Sequence, residues 1–316
     1  MKILVTPRSV TRDGHPSLEK LHAAGFEIIF CQPGVQPDES ELCALLPGCT
    51  GYLAGVEPVT SRVLAVATEL RAISRNGTGV DNIDLAAAAA RGIAVLRAEG
   101  ANARGVAELT IGQLFALARL IPGGDAAMKR GAWERGNAGA EVEGKTLGLI
   151  GCGRVGKLVS RMALGCDMQV VAFDAFPDAA FQPAPAFRFA LLDEVLASSD
   201  YLSLHCPPAA DSRPVINAAA LARMKPGTFL INTARYDICD PAAVLAALDS
   251  GHLAGLALDA FDTEPPTDLR LVQHPKVIAT PHLGGYTRES IARAMSTAVD
   301  HLLAALEGLT TCQAAA

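Results

Sequence analysis

Three short apolar segments of the chain each lead into a side chain able to do chemistry. Residues 229–235 (FLINTAR) end in Arg235, residues 255–264 (GLALDAFDTE) carry Asp259 and Glu264, and residues 277–285 (VIATPHLGG) carry His282. A guanidinium offers paired planar donors to a carboxylate and keeps its charge. An imidazole exchanges protons near neutral pH, and a neighbouring carboxylate fixes its tautomer and favours its charged form. Arg235, Asp259 or Glu264, and His282 therefore make a candidate acid–base and anion-binding set. The condition is that the segments are strands of one sheet, because ligands of open α/β sheets bind outside the carboxyl ends of the strands.

A second constellation precedes these residues. The buried-strand pattern at 146–150 (TLGLI) runs into Gly151-Cys152-Gly153-Arg154-Val155-Gly156 and then a helical stretch at 157–164. This is G-x-G-x-x-G in strand–turn–helix context. Gly151 permits the tight turn, Gly153 lets backbone approach a pyrophosphate, and Gly156 lets helix pack close to strand. The helix N-terminus offers unpaired N–H groups to phosphates. A further strand at 168–173 ends in Asp174, eighteen residues past Gly156, near the expected spacing for an acid on the ribose hydroxyls. No Arg or Lys follows it closely, so the pattern favours NAD over NADP.

The elements that must position these groups follow from periodicity. Strand-like runs at 2–6, 27–31, 51–54, 70–74 and 93–96 alternate with helical runs at 17–24, 39–46, 61–68 and 84–90. That alternation predicts a parallel sheet covered on both faces. Residues 102–120 read as one long helix, stopped by Pro122, Gly123 and Gly124. A polar, Gly-rich loop bearing Trp133 follows at 131–144, and a second alternation runs from 146 to about 280. Residues 176–189 read as an irregular loop, and 287–306 as another long helix. The expected organisation is α/β with two parallel-sheet domains. One is discontinuous, residues 1–98 with 285–316; the other is a central block, 99–284. Ligands are expected in a cleft between them.

Composition excludes other classes. With 316 residues, 50% hydrophobic and 19% charged, the chain has ample apolar surface for about two packed cores. A formal net charge of −6 argues against phosphate neutralisation on nucleic acid, and 5% aromatics against a base-stacking platform. No apolar run is long enough to cross a membrane, and the N-terminal run is too short for a signal peptide. The eight cysteines lack a Cys-x-x-Cys pair, so buried reduced thiols are expected, with neither metal sites nor disulfides. The cytoplasm is the expected compartment.

Residues 151–156, 232–235 (NTAR), 258–265 (LDAFDTEP) and 280–285 (TPHLGG) together resemble the D-isomer-specific 2-hydroxyacid dehydrogenase family, especially its phosphoglycerate-dehydrogenase-like branch. So do 74–84 (SRNGTGVDNID), 101–109 (ANARGVAEL) and 131–135 (GAWER). The likeness implies two Rossmann- or flavodoxin-like domains, a central one for NAD and a discontinuous one for substrate. It implies an NAD-dependent oxidoreductase that interconverts an R-configured 2-hydroxy acid and its 2-keto acid. His282 would be the acid/base, Glu264 its partner and Arg235 the grip on the substrate carboxylate. Asp259 would orient the nicotinamide carboxamide. His205, Cys206, Pro207, Thr233, Ala234 and Gly284 would lie along the cofactor with Arg154 and Val155. Backbone at Gly55, Val56, Glu57, Asn76, Gly77, Thr78 and Gly79 would hold the substrate carboxylate, with Arg75 and Arg104 as nearby cations. A homodimer through the NAD domain is implied, with Trp133 and Arg135 at its interface.

Two departures stand out. Tyr236-Asp237 replaces two small residues that commonly follow the arginine, so Tyr236 is expected to narrow the crevice or meet the substrate. Glu57 stands near where phosphoglycerate enzymes often place cations, and a carboxylate there would repel a phosphate at short range. A dinucleotide-sensing corepressor on the same fold, and formate- or phosphite-type oxidation, are the alternative readings.

Overall fold

The computed structural model describes residues 1–209 and 211–314, with side chains of the last helix described only through residue 307. Cys312 therefore lies outside the described side chains. In chain order the elements are β1 (Lys2–Val5), α1 (Arg8–Asp13), α2 (Leu18–Ala23), β2 (Glu27–Phe30), α3 (Glu39–Leu45), β3 (Cys49–Ala54), α4 (Ser61–Val66), β4 (Ala72–Arg75), α5 (Leu85–Ala90) and β5 (Ala94–Arg97). Then come α6 (Ala103–Ala118), α7 (Ile121–Lys129), β6 (Thr146–Ile150), α8 (Arg154–Leu164), β7 (Gln169–Phe173), β8 (Phe187–Phe189), α9 (Leu192–Ser198), β9 (Tyr201–Leu204) and α10 (Ala218–Leu221). The chain closes with β10 (Thr228–Asn232), a 3-10 turn (Tyr236–Ile238), α11 (Pro241–Asp249), β11 (Leu253–Leu258), β12 (Val277–Ala279) and α12 (Arg288–Ala314).

These elements form two compact units, Met1–Asn102 with Thr287–Ala316, and Ala103–Tyr286. Each boundary lies a few residues beyond the expected one. The terminal unit holds a five-stranded sheet in the order β2-β1-β3-β4-β5, and the central unit a seven-stranded sheet in the order β12-β11-β10-β9-β6-β7-β8. All pairings are parallel. Burial on both faces explains the near-continuous apolar strands. In β1, Leu4 joins one core while Ile3 and Val5 join the other. In β10, Leu230 and Ile231 divide in the same way.

Side-chain caps start several helices. Asp38, Thr60, Asp84, Asn217 and Asp240 each accept a backbone N–H from the first turn that follows, which satisfies donors the helix itself cannot.

Three expectations need correction. The long helix ends at Ala118, and Leu120 turns left-handed (φ 55°, ψ 33°). Pro122 and the two glycines then sit in the first turn of a new helix, where proline is tolerated because its missing N–H has no partner there anyway. The Pro-containing stretch 176–189 closes with an edge strand, Phe187–Phe189 paired to β7; Phe187 packs edge-on between Phe181 and Phe189. Finally, α1 forms where no helix was expected. Among the described residues, no single helix is long and apolar enough to cross a membrane.

Candidate active site

Register aligns the reactive segments of the central unit. Ile150 pairs with Leu204, Leu204 with Asn232, Asn232 with Leu258, and Leu258 with Ala279. Gly151, His205, Arg235, Asp259 and His282 therefore all follow neighbouring strand ends on one edge of the sheet, where ligands of such sheets bind.

The dinucleotide loop is held by tight packing. Gly151 has φ +95°, and a Cβ there would lie 2.5 Å from the His205 carbonyl carbon. A Cβ on Gly156 would lie 2.3 Å from the Gly151 carbonyl oxygen, whereas one on Gly153 would meet nothing within 4 Å. Two of these glycines are thus required by the fold, and the third leaves an open approach to backbone. No side chain caps the start of α8, so its first N–H groups face that approach. Asp174 accepts the Cys152 N–H at 2.7 Å and the Phe176 N–H at 2.8 Å. Loop, helix start and acid together fit a dinucleotide.

His205 sits on the loop after β9. Its N–H donates to Ile150 O at 2.7 Å, and its Nε2 pairs with Ser203 Oγ at 2.9 Å. Burial pulls the imidazole pKa down to about 3, so the ring is neutral. Cys206, next to it, has its thiol pKa raised, chiefly by burial.

Asp259 is 1% exposed. Its Oδ1 accepts from Thr280 Oγ1 at 2.6 Å and Leu283 N–H at 2.7 Å, and its Oδ2 from Gly284 N–H at 2.8 Å. Three of the roughly four acceptor positions of a carboxylate are thus taken by the segment that carries His282. Thr280 also accepts from Gln113 Nε2 on α6 at 3.0 Å. A side chain at Gly284 would come within 3.0 Å of Asp259 Oδ2. Asp259 is therefore a latch for this loop as well as a candidate contact to the cofactor.

His282 itself is left-handed (φ 53°). Its Nδ1 lies 2.8 and 2.9 Å from the two oxygens of Glu264. Glu264 in turn accepts the Phe261 N–H at 3.2 Å. Ring and carboxylate are 53% and 40% exposed, so the pair is open to a ligand. With Nδ1 held by the carboxylate, Nε2 is the ring nitrogen left for a further partner.

Arg235 follows Asn232, whose buried amide accepts Ala234 N–H at 3.1 Å and donates to Arg235 O at 2.8 Å. The guanidinium Nη1 donates to Ala234 O at 2.9 Å. Thr233 turns its hydroxyl into the core, 2.9 Å from Thr110 Oγ1 on α6, so its contact to a cofactor would be through backbone. Tyr236 packs its ring against Phe261, centroids 6.3 Å apart, and against the core beneath β10 and β11. That apolar packing accounts for its half-burial. Arg104 is in an exposed ion pair with Glu108 at 2.5 Å. Pro207 is exposed.

In the terminal unit, the segments after β3 and β4 are neighbours through the Ala54–Arg75 pair. Glu57, three residues past β3, is buried, 1% exposed. Its Oε1 accepts from Tyr52 OH at 2.5 Å, from Gly55 N–H at 2.8 Å and from Thr6 Oγ1. Its Oε1 is therefore engaged within its own unit, as is the Gly55 N–H. Burial, then Glu57, raises the Tyr52 pKa far above its ordinary value, which keeps that hydroxyl a donor. Asn82 donates to Glu57 O at 2.7 Å and Gly55 O at 3.3 Å, while Val56 stays exposed. Arg75 donates to Asn76 O, and a Cβ on Gly77 would collide with its guanidinium. Thr78 donates to Asn102 Oδ1 at 3.0 Å. Gly79 lies in the same loop.

The supporting residues Thr6, Tyr52, Asn82, Thr110 and Gln113 carry no local sequence signal. Only the sheet register and the packing of α6 reveal them. Among the described residues no cluster of three or more His, Cys, Asp or Glu is placed to hold a metal, and the seven described cysteines are free thiols.

Comparison with known proteins agrees with this geometry. Residues 111–284 match the model of the D-isomer specific 2-hydroxyacid dehydrogenase, NAD binding domain. D-3-phosphoglycerate dehydrogenase of Mycobacterium bovis is 36% identical over 274 residues, 86% of this chain and 52% of that protein. The chain thus spans about half the length of the curated relatives it matches. The TT0316 protein of Thermus thermophilus superposes with a TM-score of 0.86 at 35% identity, covering 98% of this chain and 97% of that one. TP0037 from Treponema pallidum, a D-lactate dehydrogenase, gives 0.82 at 27% identity, covering 98% and 97%. An NAD-binding central unit, two parallel-sheet units and a His–Glu pair at the sheet edge have one common explanation: the chain belongs to the D-isomer-specific 2-hydroxyacid dehydrogenase family, in its phosphoglycerate-dehydrogenase-like branch.

Proposed function

We propose that the protein is an NAD-dependent oxidoreductase that interconverts an R-configured 2-hydroxy acid and its 2-keto acid. The observation that carries the reading is the His282–Glu264 pair, 2.8 Å apart, on the same sheet edge as the dinucleotide loop. NAD supplies the hydride acceptor for C2 of the hydroxy acid, or in reduced form the donor. The chain's own residues handle the proton and the position. His282 Nε2 takes the C2 hydroxyl proton during oxidation and returns it during reduction. Glu264 holds the ring in the tautomer that leaves Nε2 for that exchange and stabilises the imidazolium that forms. Arg235 grips the substrate carboxylate and polarises the C2 oxygen. Gly151, Gly153, Gly156 and the start of α8 hold the pyrophosphate, Asp174 the ribose, and Asp259 both the His282 loop and the carboxamide.

The test is the purified chain with NADH and a panel of 2-keto acids, read as loss of reduced-cofactor absorbance: hydroxypyruvate, glyoxylate, pyruvate and their phosphonated and sulfonated analogues. His282→Ala should lower turnover on the accepted substrate by about 10²-fold or more with NADH binding retained. Normal turnover in that variant removes His282 from the mechanism.

We also propose a homodimer through the central unit. Trp133 is 76% exposed in the loop after α7, a helix that itself exposes Ile121 and Met128, and exposed large apolar side chains favour coverage. Trp133→Ala should shift the sedimentation profile toward monomer; an unchanged dimer removes Trp133 from the interface.

A further inference from the structure

The chain just after Asp174 reads as free of cations, yet the fold brings two to the loop that Asp174 opens. Lys157 and Arg161, one turn apart on α8, both reach the loop that follows β7. Lys157 Nζ lies 5.3 Å and the Arg161 guanidinium 5.4 Å from the Phe181 ring centroid. That same loop holds Asp174 and, four residues on, Asp178. Each carboxylate closes a short turn of its own: Asp174 Oδ1 accepts Phe176 N–H at 2.8 Å, and Asp178 Oδ1 accepts Ala180 N–H at 3.1 Å. The other oxygen of Asp174 accepts the N–H of Cys152, within the dinucleotide loop. The other oxygen of Asp178 accepts from Lys157 Nζ at 2.5 Å. Lys157 is thus a cation near the start of the dinucleotide helix, and an acid on the ribose loop occupies it. The ammonium holds the Asp178 carboxyl below the usual carboxylate range, so the pair is ionised at neutral pH.

A phosphate on the adenosine 2′ oxygen would enter beside Asp174 and carry about two negative charges. A free ammonium in that neighbourhood would attract it. We propose that Asp178 is a second cofactor-selectivity residue. By pairing with Lys157 it withholds that cation, and so reinforces the rejection of NADP that Asp174 exerts directly. The inference rests on the reading of this loop as the ribose end of the NAD site, and it acts through binding, not through the hydride step.

Equilibrium titration of the full chain with NADH and with NADPH, followed by nicotinamide fluorescence, tests it. Asp178→Asn keeps the turn to Ala180 but releases Lys157. NADPH should then bind about fivefold tighter, as befits one exposed charge contact, with NADH changed less than twofold. The double variant Lys157→Met/Asp178→Asn should lose the gain, and roughly 0.5 M salt should shrink it in the single variant. An unchanged NADPH-to-NADH ratio in Asp178→Asn overturns the proposal, as does a gain that survives removal of Lys157. Failure of the parent chain to bind NADH would instead overturn the cofactor reading beneath it.

Discussion

Glu57 and Glu264 are the same side chain at similar places, each a few residues past the end of a parallel strand, and they do opposite things. Glu57 is buried and takes three donors from its own unit, Thr6, Tyr52 and Gly55. Glu264 is 40% exposed and holds one imidazole. A buried acceptor with every donor supplied by the scaffold shapes backbone. An exposed one whose partner is a titratable ring is placed for the proton exchange proposed above. Residue type and position do not separate the two; the origin of the donors does.

The contrast can be broken by measurement. The largest effect is expected for Glu57→Ala, which orphans three donors around a buried acceptor. It should cost about 3 kcal/mol of stability in denaturant titration; a loss near zero would return Glu57 to the surface. Next comes pH. The unfolded His205 ring takes a proton below about pH 6.5, while the folded ring resists until about 3. The stability contributed by the neutral ring is therefore complete above pH 6.5 and is lost as pH falls through that window. His205→Gln, which titrates in neither state, should flatten the decline between roughly pH 6 and 4 by about 2 kcal/mol. A decline equally steep in the variant would show that other groups set it. The smallest effect belongs to Glu264→Gln. Turnover should fall about tenfold, one charge-assisted contact at about 1.4 kcal/mol, while unfolding shifts by less than about 0.5 kcal/mol. A large stability loss there would make Glu264 scaffold like Glu57.

Much of this is legible in the residues because the signals are local. The glycine spacing at 151–156, the acid at 174 and the strand ends before Arg235, Asp259 and His282 each depend on neighbours in the chain. What escapes depends on contacts made at a distance. Glu57 reads as a ligand-facing charge because nothing nearby announces Tyr52 and Thr6 beneath it. Pro122 reads as a helix stop because its place within a turn is set by the left-handed Leu120, not by its own identity. The edge strand 187–189 is short, and its place comes from pairing with β7 and from the Phe181 and Phe189 rings, not from alternation. The partner of Asp178 is invisible in the sequence because α8 carries Lys157 to it.

Thr280 links two layers of the central unit. One hydroxyl accepts from Gln113 on α6 and donates to Asp259 beneath the histidine loop. The pose of the His282 loop is thereby referenced to α6 rather than to the exposed rim. A methyl in place of that hydroxyl, as in Thr280→Val, would uncouple the two while leaving every reacting atom untouched, giving engineers a dial for reactivity that sits out of the substrate's sight.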